Sequence, residues 1–213
     1  YEVDIGRVHT EISELVKAPL LTLSGFGKQD VTETGSSRFC PGQQIIMTKW
    51  AGAAGAAELA YVNKRSLMKY FPAVYVDEAV EYLWEKTAGE SLLSIEKEIK
   101  TAWDMGAGAF HNVTKNGVFG ALWEMAEMSH AGLEVNFAAI PVRQESIEIC
   151  EQYGVNLYET DSLGSVLIGA EHGEDLVRRL REEGIPAAII GRVTDGNDRT
   201  ICRGEETRFL TPP

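Results

Sequence analysis

Hydrophobic residues recur along the chain with two periods, and each period predicts one class of secondary structure. Short apolar runs bounded by turn residues predict strands over 20–26, 44–48, 133–137, 166–170, 187–193 and 199–203, with 3–12 as a candidate neighbour of the first. Runs with helical spacing predict helices over 53–70, 78–86, 91–105, 118–131, 144–153 and 174–183. Strands that alternate with helices predict a layered α/β or α+β domain with a mixed sheet.

Local signals refine three of these predictions. Asp77 precedes the predicted helix 78–86 and is a suitable N-terminal cap for it. The helix over 91–105 is amphipathic, because its apolar residues recur every three or four positions. The turn at 195–197 predicts a hairpin that joins the last two strands.

Composition narrows the class of partner. The chain has 213 residues, 44% of them hydrophobic and 24% charged, which is enough for one domain or two small ones. A formal net charge of -12 argues against non-specific binding to nucleic acid or to an anionic membrane. No apolar stretch has the length of a membrane span. A small anionic or nucleotide ligand is compatible with this charge only where local dipoles and a few cations hold it.

Cysteine usage and the first residues bear on compartment and processing. The three cysteines are far apart and form no C-x-x-C pair, so neither a zinc site nor a disulfide framework is predicted. Reduced thiols fit a cytoplasmic protein. The first four residues lack the basic and apolar order of a signal peptide. Because the chain begins with Tyr1, we expect either processing or a piece of a longer protein.

The most informative stretch is 111–121, where a polar turn runs into a predicted helix. Free backbone N–H groups and the positive end of the helix dipole converge at such a junction, which suits phosphate or carboxylate binding. His111 is a candidate to polarise a phosphate or substrate. The candidate anion-binding residues are Thr114, Lys115, Asn116 and Gly117. The alternatives are a solvated turn capped by Thr114 and a histidine hydrogen-bonded within the fold.

A second junction of this kind precedes the alanine-rich helix over 53–70. Lys49, together with Gly52 and Gly55, is a candidate for a second anion cradle at the start of that helix. The alternative is that the two glycines only allow the helix to pack closely against its neighbours.

Three segments resemble the superfamily of aminoimidazole ribonucleotide (AIR) synthetase and the hydrogenase-maturation carbamoyl dehydratase, and especially its AIR synthase-related branch. Residues 9–11 (His-Thr-Glu) and 21–28 resemble two strands at the end of that family's N-terminal half. Residues 41–52 resemble the opening of its C-terminal domain. Residues 111–126 resemble its His-Asp-Val-Thr-x-Gly-Gly loop and the helix that follows.

The resemblance implies a fold, a domain division and cofactors. Family members have an N-terminal half whose aspartates hold magnesium and ATP phosphates, and a C-terminal half that closes over the nucleotide. By this resemblance, residues 1–34 are remnant strands of the first half, and residues 35–213 are the C-terminal domain. ATP and magnesium are cofactors by resemblance only. The sheet of the N-terminal half forms the family's dimer, so a homodimer is expected.

The same resemblance names further site residues and marks departures from the family pattern. Glu11 resembles an acidic residue near the nucleotide; an exposed strand residue is the alternative. Asn112 replaces the motif aspartate, and Asn116 replaces the first glycine of the motif pair. Residues 161–165 fall where the family has a loop of small residues along the cleft, which makes Ser162 and Gly164 ligand candidates; a plain turn is the alternative.

Three functional hypotheses follow from these residues. The first is a C-terminal domain that binds a nucleotide or another phosphorylated ligand but does not transfer phosphoryl groups alone. The second is a non-catalytic, dimeric binding or regulatory module. The third is a fragment of an ATP-dependent enzyme that a missing N-terminal half completes.

Overall fold

The computed structural model describes residues 4, 6–25, 38–87 and 90–213. The chain divides into two units, Tyr1–Glu33 and Thr34–Pro213. In the first unit the described residues form no helix or strand, and apolar side chains such as Ile12 and Leu15 are exposed. The predicted strands over 3–12 and 20–26 are therefore wrong at the described positions; residues 3, 5 and 26 lie outside the description. An apolar run forms a stable strand only beside a pairing neighbour, and these residues have none.

The second unit contains a seven-stranded mixed sheet and a small two-stranded one. The strands are β1 (Gln44–Thr48), β2 (Lys86–Thr87), β3 (Glu90–Ser91), β4 (Ala109–Val113), β5 (Gly132–Asn136), β6 (Ser165–Ala170), β7 (Ala187–Thr194), β8 (Arg199–Arg203) and β9 (Glu206–Phe209). The large sheet has the order β4-β6-β1-β7-β5-β8-β9. All its neighbours are antiparallel except β5 and β8, which run parallel.

Helices accompany the strands along the chain. The described residues form α1 (Ala53–Leu67), α2 (Ala73–Glu81), α3 (Glu96–Asp104), α4 (Gly117–Ser129), α5 (Gln144–Gln152) and α6 (Gly173–Glu182). Short 3-10 helices cover Phe137–Ala139 and Leu157–Glu159. The predicted mixed α/β class is confirmed.

Three local predictions are wrong. β7 and β8 form no hairpin, because β5 lies between them in the sheet. α2 begins at Ala73, directly after Pro72, so Asp77 lies inside the helix rather than at its cap. Proline has no N–H to lose at a helix start, which makes this the better starting point. α3 begins at Glu96, since the residues before it form β3 and a turn.

The large sheet is buried on both faces at β1, because successive residues of this strand belong to different core clusters. Ile45 and Met47 belong to the core cluster that also contains Leu122 and Met125 of α4. Ile46 points to the other face and joins the cluster that contains Leu180 of α6. Successive strand residues face opposite sides, so a fully apolar strand fits a sheet covered on both sides.

The strand register brings several loops to one edge of the sheet. Val113 at the end of β4 pairs with Ser165 at the start of β6, and Thr48 at the end of β1 pairs with Ala187 of β7. The ends of β1 and β4 therefore lie beside the starts of β6 and β7. We call this side, with residues 49–52, 114–116 and 161–164, the loop edge.

Candidate functional site

A tight turn joins β4 to α4 at the loop edge. The N–H of Gly117 donates to the carbonyl oxygen of Thr114 at 2.9 Å, which closes the turn. Gly117 has φ 64°, and a Cβ placed there would lie 2.3 Å from the carbonyl oxygen of Tyr158. Only glycine fits both the left-handed backbone and the close approach. The shape of this turn is therefore specified by the sequence.

Two backbone N–H groups in the first turn of α4 have no acceptor among the described residues. The N–H of Gly120 donates to the carbonyl of Asn116 at 3.1 Å. The N–H groups of Val118 and Phe119 have no acceptor in the part of the chain that the structure describes. No side chain caps the helix, so the alternative cap by Thr114 does not form. These donors and the helix dipole make this point locally positive.

A cavity of about 660 Å³ lies beside this helix start. Asn116, Phe119 and Gly120 line it from α4, and Phe137 lines it from the loop after β5. The chain end, residues 210–213, forms part of another wall. Asn116 therefore belongs both to the candidate anion-binding turn and to the lining of the cavity.

A carboxylate missed by sequence reasoning, Glu124, links two of the predicted residues. Its carboxylate oxygens lie 3.2 Å from Nε2 of His111 and 3.2 Å from Nδ2 of Asn116. Glu124 stands eight residues after Asn116, about two helical turns, which places both on one face of α4. His111 thus has a partner within the fold, as its alternative interpretation expected. That helical spacing was the signal available in the sequence.

Lys49 lies in a different environment from the one expected of a ligand-binding lysine. Its side chain is buried, and its Nζ lies 2.6 Å from Oε1 of Glu98, which is also buried. Nζ also donates to the carbonyl oxygens of Leu92, Ser94 and Gly164. An ammonium group has three N–H donors, and these partners use them. Lys49 therefore joins β1 to the segment before α3 and to the loop before β6.

Gly52 and Gly55 serve close packing at the start of α1. Gly52 has φ 65°, and a Cβ there would lie 2.4 Å from a side-chain carbon of Leu157. A Cβ on Gly55 would lie 2.3 Å from the side chain of Thr160. The N–H of Gly52 donates to Oγ of Ser162 at 2.7 Å. The geometry favours the packing interpretation of these glycines over an anion cradle.

The loop 161–165 connects the two junctions. Ser162 is fully buried, and its N–H lies 3.4 Å from the carbonyl of Thr114. Gly164 has φ 95°, and a Cβ there would lie 2.2 Å from the carbonyl oxygen of Leu92. Both candidates thus hold the loop edge together. Their predicted ligand contacts stay predictions.

The remaining predicted site residues are exposed. Asn112 is exposed on β4, where it pairs with Val166, and Lys115 is exposed in the turn before α4. Lys115 makes no ion pair with the residues that the structure describes. Glu11 is exposed and belongs to the first unit, so it is described by itself.

Aromatic rings and arginines line or border the same cavity, and sequence reasoning missed them. The ring of Tyr158 stacks on Phe119 with centroids 5.2 Å apart, and it contacts Phe137 at 4.7 Å. The guanidinium of Arg203 on β8 lies 5.5 Å from the centroid of Phe137. Burial raises the pKa of the Tyr158 hydroxyl, and Arg203 partly offsets that rise. Arg208 on β9 also lines the cavity.

Two general features of the described residues bear on ligand classes. In the described ranges, His, Cys, Asp and Glu side chains form no group of three or more that could hold a metal ion. Every helix there is too short or too polar to cross a bilayer.

The family is shown by sequence. A protein-family model described as AIR synthase related protein, C-terminal domain, matches residues 41–202. The chain belongs to this family. It is 24% identical over 204 residues to selenide, water dikinase from Methanococcus maripaludis, a match that covers 89% of this chain and 58% of that protein. It is 29% identical over 91 residues to carbamoyl dehydratase HypE from Rhodobacter capsulatus, covering 41% of this chain and 27% of HypE.

Solved structures agree on the fold. Hydrogenase maturation protein HypE in complex with ATP superposes with a TM-score of 0.64 at 20% identity, covering 84% of this chain and 53% of the HypE chain. The chain thus spans less than two thirds of the length of each of these relatives. At this level of identity the structural match establishes a shared fold.

Proposed function

We propose that this domain binds a phosphate-bearing ligand of the nucleotide class at the start of α4. The observation that carries the proposal is that the N–H groups of Val118 and Phe119 have no acceptor among the described residues, at a helix start whose residues Asn116 and Phe119 line a cavity. Helix starts with free N–H groups favour anions through both hydrogen bonds and the dipole. Lys115, exposed in the same turn, adds a positive charge.

The nucleotide class is supported by the shared fold, since the similar HypE structure is a complex with ATP. The resemblance places the magnesium-holding aspartates in the N-terminal half of family members. Phosphoryl transfer from ATP depends on metal ions held by such residues. We therefore propose that residues 35–213 bind the ligand but do not transfer phosphoryl groups alone, and that an N-terminal half would complete an ATP-dependent enzyme.

Isothermal titration calorimetry of this polypeptide with ATP, ADP and inorganic phosphate tests the proposal. We expect ATP and ADP to bind and Lys115→Ala to weaken both, by about tenfold if the lysine contacts a phosphate. Lys100→Ala, at an exposed lysine of α3, is the matched control and should bind like the parent. Binding that is absent, or equal in the Lys115→Ala variant, would overturn the proposal. Magnesium-dependent ATP turnover by this polypeptide would overturn the statement on phosphoryl transfer.

A second candidate, a dimeric and non-catalytic binding module, is favoured by the first unit. Ile12 and Leu15 are 98% and 93% exposed, and Leu20, Leu21 and Leu23 are each more than four-fifths exposed. Such apolar exposure is typical of surfaces that associate with another chain. We expect a dimer in sedimentation velocity at micromolar concentration and a monomer for the double variant Leu21→Asp, Leu23→Asp. A monomeric parent protein would contradict this candidate.

A further inference from the structure

The part of the cavity formed by β8 and β9 carries an arginine that has no ion pair among the described residues. Arg208 lies 3.6 Å from Glu206, its neighbour on the same strand, so that charge is partly balanced. Arg203 makes no ion pair with a carboxylate of the described residues. The centroid of the Phe137 ring lies 5.5 Å from the guanidinium carbon of Arg203. This guanidinium is therefore available to a ligand.

Aromatic rings border the same cavity. Phe119 and Phe137 both line the cavity, and Tyr158 packs between them. Phe209 of β9 also lines it and is 70% exposed. Exposed aromatic rings and a planar guanidinium are surfaces on which flat rings stack.

Two carboxylates, Glu159 and Glu206, also line the cavity. They oppose a ligand that is only an anion, because like charges repel at this range. They accept hydrogen bonds, which favours a ligand whose ring carries N–H donors. The cavity therefore offers separate environments for the two ends of one molecule.

We propose that Arg203 and the aromatic wall bind the ring of the ligand, while the start of α4 binds its phosphates. The ligand class is an anion that carries a flat heteroaromatic ring with N–H donors. This inference rests on the proposed function, because it concerns the same cavity. Arg203 acts here as a specificity-determining residue that distinguishes ring-bearing phosphates from inorganic ones.

The test compares two probes, ATP and inorganic tripolyphosphate, which share a phosphate chain and differ in the ring. Calorimetry should show that Arg203→Ala weakens ATP by about fivefold and leaves tripolyphosphate unchanged. Arg203→Lys keeps the charge but loses the planar face, so ATP should stay weakened. Arg192→Ala, at an exposed arginine of β7 that pairs with Glu134, is the matched control and should match the parent for both probes.

The other possible calorimetry results distinguish failure of this inference from failure of the proposed function. Equal losses for ATP and tripolyphosphate in Arg203→Ala would overturn the inference, since the residue would then act on phosphate alone. An unchanged ATP affinity in that variant would overturn it too, while the effect of Lys115→Ala would still stand. Failure of both probes to bind the parent would overturn the proposed function as well. The thermal unfolding midpoint of each variant should match that of the parent, which excludes misfolding as a cause.

Discussion

Two loop-to-helix junctions at the loop edge resemble each other in sequence and differ in environment. One runs from Lys49 to Gly52 into α1, and the other from Lys115 to Gly117 into α4. Each glycine has a left-handed φ, 65° and 64°, and each meets a neighbouring backbone or side chain too closely for a Cβ. Lys49 is buried against Glu98, whereas Lys115 is exposed in the turn.

The comparison indicates that burial determines whether a junction of this type stabilises the fold or can bind a ligand. At the α1 junction, the ammonium and the N–H of Gly52 have partners from distant segments, so the junction holds the fold together. At the α4 junction, the N–H groups of Val118 and Phe119 have no acceptor among the described residues, and Phe119 lines a cavity. The predictions below test this division, from the largest expected effect to the smallest.

Lys49→Ala should have the largest effect on stability. It leaves the Glu98 carboxylate buried without its partner, and breaking a buried ion pair in this way typically costs about 3–5 kcal/mol. Urea unfolding measures the loss. Lys115→Ala should change the unfolding free energy by less than about 0.5 kcal/mol, as exposed substitutions do. A similar loss of unfolding free energy in both variants would contradict the proposed difference between the two junctions.

Alanine substitutions at the two junction glycines should lower the unfolding free energy by the same amount. Gly52→Ala and Gly117→Ala each combine a left-handed backbone with a contact under 2.5 Å, so we expect each to lose about 2–4 kcal/mol of unfolding free energy. Gly106→Ala, at φ 86° with open space around it, isolates the backbone cost and should lose about 1 kcal/mol. Thermal or urea unfolding of the three variants measures this. Equal losses at all three positions would show that the contacts do not matter.

Alkaline pH should reduce the contribution of Cys150, which packs against α1, to the unfolding free energy. Cys150 packs with Ala56 of α1 and Leu157, and burial raises the pKa of its thiol from 9.0 to about 11. The folded state holds this proton more tightly, so its contribution is complete below pH 9 and is lost as the pH rises towards 11. The stability cost of Cys150→Ala should therefore shrink between pH 8 and pH 10.5, measured by urea unfolding. A stability loss for Cys150→Ala that stays constant between pH 8 and pH 10.5 would contradict the raised pKa of this thiol.

Glu124→Gln should have the smallest effect. The carboxylate holds His111 and Asn116 at 3.2 Å each, and a neutral amide weakens both contacts without leaving space. Since Asn116 borders the cavity, we expect ATP affinity to change by about two- to fivefold, with stability nearly unchanged. Calorimetry measures the affinity. A loss of all binding would mean that Glu124, rather than the helix start, holds the ligand.

Local pattern was sufficient for much of this fold. The unbroken apolar run of β1 fits a strand buried on both faces, and α5 and α6 end within one residue of their predicted ends at 153 and 183. β4 was not predicted, because His111 and Asn112 interrupt its apolar residues. Such polar residues fit a strand at the edge of the sheet, where β4 lies. The order of β7, β5 and β8 was not predicted either, since strands that follow one another in the chain need not be neighbours in the sheet.

The site was predictable only where its residues are close in the chain. The α4 junction is contiguous, so the sequence indicates both its glycine and its helix start. The partners of Lys49 lie between 43 and 115 residues away, and Arg203 reaches the cavity through the parallel pairing of β5 and β8. Such contacts depend on sheet order, which local spacing does not contain.

The central claim is tested most directly by following backbone amides during an ATP titration of isotopically labelled protein with two-dimensional ¹H–¹⁵N NMR. The account predicts that the signals of Val118 and Phe119 shift saturably, while those of Gly52 and Gly55 at the other junction stay in place. Shifts confined to the α1 junction, or an unmoved pair at the start of α4, would contradict it.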